Sequence, residues 1–273
     1  MKGKTFTSLR TLILAAGSLL IVVSAQATLV DLTTGSDASG EIDGALFFAT
    51  QQQPSGTGFI DPFLRIDEKS PTERGYNTDG GFPFDDKNPH NFQHSLYLPD
   101  MGATLFNGIP YLVFELDSNQ AGTSYTQHDI TMTALQIFTT NDPSQTTTTI
   151  VPAPTASDPT GGILQLNGTL VYNLGNNSVK MTAQGSGKQD MFMYIPLSLV
   201  QTGDLYLVLY SVFNNTVATT GGFEEWIFIG GPVPIPEMGT FFPVIGLLAA
   251  VLSTRVLRRR KIAQLARQQI TLS

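Results

Sequence analysis

The sequence predicts an all-β protein: a single antiparallel β-sandwich of jelly-roll type, with a signal helix before it and a transmembrane helix after it. Three observations support this. Between residues 28 and 231 many short runs of β-branched and aromatic residues are separated by Gly, Asn, Asp and Pro. No segment of that stretch sustains a helical period. At each end an uncharged apolar stretch has the layout of a processing segment, and it is set aside before the fold is argued.

Residues 1–27 have the order of a signal peptide. Lys2, Lys4 and Arg10 precede an uncharged run from Thr11 to Val23, and Ala25 and Ala27 give the A-x-A site for signal peptidase, with cleavage before Thr28. The run of 13 residues is short of the ~20 that span a bilayer. A removed leader is therefore expected rather than an anchor.

Within the body, strands are expected at Ala45–Thr50, Phe63–Ile66, His94–Leu98, Tyr111–Leu116, Thr131–Phe138, Gly168–Asn173, Ser178–Thr182, Asp190–Ile195, Leu205–Phe213 and Phe223–Ile229. Along 130–138 the apolar face switches partway, which a β-bulge or burial of both faces would explain. Leu174-Gly175-Asn176-Asn177-Ser178 predicts a hairpin between its flanking strands, because Gly and Asn accept positive φ. Residues 141–162, rich in Thr, Pro, Ser and Asp, predict a long exposed loop.

Residues 232–261 form a second processing segment. Pro232-Val233-Pro234-Ile235-Pro236-Glu237-Met238 leads into an uncharged stretch, 238–254, and then into Arg255, Arg258, Arg259, Arg260 and Lys261. Seventeen uncharged residues reach about 25 Å as a helix, enough for a thin bilayer. The basic cluster and the tail at 262–273 would stay cytoplasmic.

This layout resembles the PEP-CTERM sorting signal of bacteria that make exopolysaccharide, with Met238 in place of the second proline. The resemblance implies an exosortase-type membrane transpeptidase as a partner, acting at Pro236, Glu237 and Met238. It also implies a transient stay in the inner membrane, then release to the cell surface or extracellular matrix. Four pieces of the body are similar to those of other exported proteins with such tails: Gly75-Tyr76-Asn77-Thr78, Pro83-Phe84-Asp85-Asp86-Lys87, Gly185-Ser186-Gly187 before Asp190-Met191, and Gly222-Phe223-Glu224-Glu225-Trp226.

Composition narrows the chemistry. The net charge of the whole chain is −7, but nine of the fifteen basic residues lie in the end segments. Residues 28–236 hold 21 acidic residues against six basic ones (Arg65, Lys69, Arg74, Lys87, Lys180, Lys188), a net charge of −15. Such a body repels phosphate backbones, so nucleic acid is not expected as a partner. Without cysteine there are no disulfides, thiol nucleophiles or Cys-ligated metals.

The densest polar stretch, Asp61 to His94, offers Asp79, Asp85 and Asp86 as candidate calcium ligands; no cofactor at all is the competing expectation, since no EF-hand loop is present and a solvated acidic loop fits as well. His90 and His94 would align on a helix, but on a strand they stand ~13 Å apart, too far for one metal. Gly185-Ser186-Gly187-Lys188-Gln189 lacks the Ser or Thr of a phosphate loop. Glu224 and Glu225 are adjacent, so on a strand they point to opposite faces and cannot flank one glycosidic bond.

No catalytic constellation is recognisable, and the sequence is expected to be non-enzymatic. The expected function is that of an exported surface or matrix protein associated with exopolysaccharide. The alternatives are a carbohydrate-binding module, for which Tyr97, Tyr111, Tyr206, Tyr210 and Trp226 are available, and a polysaccharide-active hydrolase.

Overall fold

Alternating apolar residues along an extended run leave one face to be covered, and the chain covers it by setting two sheets against a shared core. The computed structural model describes residues 27–50, 61–67, 72–85, 92–119, 129–155, 161–183, 190–214, 222–230 and 233–234. In chain order its strands are β1 (Leu29–Asp31), β2 (Ser39–Ile42), β3 (Ala45–Ala49), β4 (Leu64–Ile66), β5 (Thr72–Tyr76), β6 (Leu96–Tyr97), β7 (Gly102–Phe106), β8 (Ile109–Ser118) and β9 (Asp129–Thr140). They continue with β10 (Ile150–Val151), β11 (Ile163–Leu164), β12 (Thr169–Asn173), β13 (Ser178–Thr182), β14 (Met191–Pro196), β15 (Tyr206–Asn214), β16 (Glu224–Ile229) and β17 (Val233–Pro234). A strand stands at each of the ten expected places.

Sheet one has the order β1-β13-β9-β15-β5, with β12 also on β9 and β6 also on β15. Sheet two has the order β17-β7-β8-β14-β3-β2, with β16 on β8 and β4 on β16. Among the described residues every pairing is antiparallel except that of β1 with β13. No described helix is long and apolar enough to cross a membrane. The expected signal helix, the stretch 238–254, and Ala25, Pro236, Glu237, Met238, Arg255, Arg258, Arg259, Arg260 and Lys261 all lie outside the described residues; Ala27 is exposed just ahead of β1.

Leu112, Phe114 and Leu116 of β8, Met191 and Met193 of β14 and Trp226 of β16 meet Ile130, Met132, Leu135 and Ile137 of β9 and Leu207 and Leu209 of β15. Two hydrogen bonds cross this core. Trp226 Nε1 donates to Ser211 Oγ at 3.0 Å, and the Tyr172 hydroxyl donates to Ile42 O at 3.1 Å.

The face switch along β9 is a bulge. Ala134 stands opposite Val212 and Met132 opposite Phe213, which leaves Thr133 as the extra residue. Before it, Ile130 and Met132 enter the shared core; after it, Leu135 and Ile137 do, while Ala134 and Phe138 turn to the other face.

The hairpin predicted at Leu174–Ser178 does not form. Strand β12 pairs with Gln136–Thr139 of β9 and β13 with Asp129–Met132, so the two run end to end along one edge of β9. Gly175, at φ 66°, turns the chain, and Leu174 N donates to Leu135 O at 2.8 Å. The cause is the bulge: β9 changes its inward face there, so an edge partner must break and rejoin in a new register. Gly and Asn serve a jog as well as they serve a hairpin.

The stretch expected to be a long exposed loop, 141–162, is exposed at Asn141, Asp142 and Ser144 but buries Gln145 and Ile150. Strands β10 and β11 pair across its ends. Ile150 and Leu164 pack with Tyr76, Phe138, Val208, Tyr210 and Val212 into a second cluster on the outer face of sheet one. Gln136 fastens it, donating to Gly162 O at 2.7 Å and accepting from Leu164 N at 3.0 Å.

Candidate functional site

The site grows out of the end of β5, where the polar side chains are drawn inward by strands that lack backbone partners. Asn77 is fully buried. It donates to His94 O and Leu207 O at 3.2 and 3.0 Å and accepts from Leu209 N at 2.6 Å, standing in for a strand between β15 and the segment before β6. Thr78, also buried, donates to Pro143 O and Gln145 O and accepts from Gly80 N. Tyr76 places its hydroxyl on Thr147 O at 3.0 Å. Three consecutive side chains thus tie sheet one, the 141–147 loop and the 92–95 segment together.

Above this floor the chain turns through Asp79-Gly80-Gly81-Phe82. Thr78, Asp79, Gly80, Gly81, Phe82, Gln93 and His94 line an open pocket of about 430 Å³. Gly80 has a steric reason to be glycine, since a Cβ there would collide with the Ser144 carbonyl. Asp79 is held by Ser95, whose N and Oγ donate to its two oxygens at 2.7 and 2.9 Å.

Gln93, only 3% exposed, donates Nε2 to Tyr76 O at 3.0 Å, and its Oε1 is left without a donor. His94 Nδ1 lies 2.9 Å from Ser95 O. A carbonyl only accepts, so Nδ1 carries a proton and donates to it. Phe82 is 42% exposed at the rim.

Of the predicted calcium ligands, the structure brings only Asp79 to this pocket. Asp85 accepts from Arg74 N at 3.0 Å, and its backbone bridges Arg74 and Asp67, so it braces β5 instead. Asp86, His90 and Gly185–Gln189 lie outside the described residues. Among the described residues no group of three or more His, Asp or Glu side chains is placed to hold a metal ion.

A second set of acidic residues lies on and beside sheet two, of which the sequence drew attention only to Glu224 and Glu225. Glu115, Asp117, Asp190, Glu224 and Glu225 are all buried. Asp117 faces Glu225 across the strands, and Glu225 in turn faces Arg65 of β4. Arg65 Nε donates to Glu225 Oε1 at 2.6 Å in an ion pair, with its guanidinium over the rings of Phe92 and Phe223 at 3.6 and 4.4 Å.

Asp190 accepts from Ser118 N and Oγ at 2.8 and 2.9 Å. Burial first, then the charges of Asp117 and Asp190, push the Glu115 carboxyl up to about 7. The signal that would have found it is a carboxylate pair two apart inside an apolar strand, Glu115 and Asp117.

Trp226 is fully buried in the core, and Tyr210 and Tyr111 are buried as well. Of the aromatics proposed for sugar contact only Tyr97, 40% exposed, and Tyr206, partly exposed, remain at the surface, their rings 5.4 Å apart. Gln93 and Phe82, which the sequence reading passed over, shape the pocket more than any of these.

The fold so defined is a mostly antiparallel two-sheet β protein with an open pocket at the end of β5. Comparison with family models, curated proteins and solved structures gives no match.

Proposed function

We propose that this is an exported, non-enzymatic surface or extracellular-matrix protein, associated with exopolysaccharide and sorted by an exosortase-type system, on a β-sandwich of jelly-roll type. The carrying observation is the pair of end segments: a signal peptide ending at Ala25 and Ala27, and Pro236-Glu237-Met238 followed by an apolar stretch and the Arg255–Lys261 cluster. Support for the jelly roll comes from the long strands, since β8, β9, β14, β15 and β16 alternate between the sheets.

Mass spectrometry of the mature protein tests the sorting. An N-terminus at Thr28 and a C-terminus near Pro236 are expected. A tail intact through Ser273 in the mature form would overturn it.

A carbohydrate-binding module is the second reading, favoured by the exposed Tyr97–Tyr206 pair, since amphipathic rings are suited to flat sugar faces. A glycan array that stayed silent throughout would count against it. A hydrolase is favoured less: among the described lining residues Asp79 is the sole carboxylate of the pocket, and two are needed for glycoside hydrolysis.

A further inference from the structure

We infer that the pocket at the end of β5 binds an ammonium-bearing saccharide, an amino sugar within a glycan, rather than a neutral or acidic one. The inference deepens the matrix reading and rests on it for the glycan class.

The side-chain acceptors of the pocket are Gln93 Oε1 and the Asp79 carboxylate. Most of the donors of these residues are used: Gln93 Nε2 gives one of its two hydrogens to Tyr76 O, His94 Nδ1 donates to Ser95 O and the Thr78 hydroxyl donates to Pro143 O and Gln145 O. A ligand that brings hydrogens is therefore favoured. An ammonium group carries three donors and no acceptor, and ring hydroxyls add more.

Gln93 is nearly buried and lines the pocket, yet Oε1 has no partner, a state that costs free energy until a donor arrives. Its amide cannot turn over to relieve this, because Nε2 is fixed on Tyr76 O.

No Lys or Arg lines the pocket among the described residues, Asp79 is an exposed carboxylate, and residues 28–236 carry a net charge of −15. A polyuronate would be repelled and a polyamine glycan steered in. The half-exposed Phe82 ring at the rim suits a cation or the apolar face of a pyranose. The volume of about 430 Å³ lies in the range of small-molecule pockets.

The test is titration calorimetry of the full chain in non-ionic detergent against glucosamine oligomers, the matching N-acetylated oligomers and a polyuronate, at low and high salt. The glucosamine oligomers are expected to bind at least tenfold more tightly than the acetylated set, and less tightly as salt rises. Asp79→Asn is expected to weaken binding about tenfold. Phe82→Ala, at an exposed position that the fold does not depend on, is expected to weaken it severalfold, so a folding defect at Asp79 would not obscure the result.

Equal affinity for acetylated and free oligomers, preference for the polyuronate, or binding to none of the three would overturn the inference. A lysine-rich peptide that competed as well as the glycan would overturn the saccharide assignment. The termini of the mature chain test the sorting and calorimetry tests the pocket, so the two readings fail separately.

Discussion

The acids between Asp61 and His94 are crowded in sequence, whereas the acids of β8, β14 and β16 are scattered along it, and the structure reverses their apparent importance. Of the first group, Asp79 is exposed and Asp85 is a brace for β5. In the second, Glu115, Asp117, Asp190, Glu224 and Glu225 are all buried, and strand pairing sets Asp117 against Glu225. Density along the chain measures how polar a loop is. Burial is set by which strands lie side by side, and burial is what changes an acid's chemistry.

The largest effect that would test this contrast is loss of Arg65, the cation paired with Glu225 in the strand group. Arg65→Ala leaves Glu225 buried without its ion pair and strips the stacking on Phe92 and Phe223. A loss of about 3 kcal/mol is expected by chemical denaturation. A loss under about 1 kcal/mol, the range of surface pairs, would show that Glu225 is solvated and that the contrast is false.

Glu115 gives the next effect, and it depends on pH. Its folded pKa is raised, so the folded state keeps a proton that the unfolded state releases between the ordinary carboxylate value of 4.5 and about 7. Stability should then fall as pH rises through that window, by about 2 to 3 kcal/mol, and hold level on this account above it. Glu115→Gln should flatten the slope, becoming the more stable form at pH 8 and losing that advantage near pH 4.5. Parallel stability curves for the two proteins would refute the assignment.

Smaller effects are expected in the loop group. Gly80→Ala must move the Ser144 carbonyl and should cost about 1 to 3 kcal/mol, with the shift in midpoint read from thermal melts. Asp85→Ala removes the acceptor of Arg74 N and should cost about 1 kcal/mol. The smallest effect is that of Asp79→Asn, expected within about 0.5 kcal/mol because the side chain is exposed and the amide oxygen still accepts from Ser95. A large destabilisation there would make Asp79 part of the scaffold and remove it from the pocket's free chemistry.

Much of the fold was legible. Runs such as Leu205–Phe213 alternate two faces and became β15, and the switch along 130–138 became the bulge at Thr133. Strand β5 was not legible, because Thr72-Glu73-Arg74-Gly75-Tyr76 is charged and holds a glycine; it is a strand because β15 offers it an edge. Of the site, Asp79 and His94 were singled out for a metal, while Gln93 and Phe82 gave no signal, since a lone Gln or Phe has meaning only through its neighbours.

The sequence by itself determined the alternation that makes sheets, the absence of cysteine, the acidity of the body and the layout of the two end segments. These are properties of composition and local order. The tertiary structure alone decided that Arg65 meets Glu225 from 160 residues away, that Asn77 replaces a strand for Leu209 from 132 residues away, and that Ile150 packs onto the outer face of sheet one. Strand pairing joins segments without regard to their distance along the chain. Register and burial, and with them the acids and acceptors that matter, are therefore fixed only when the sheets assemble.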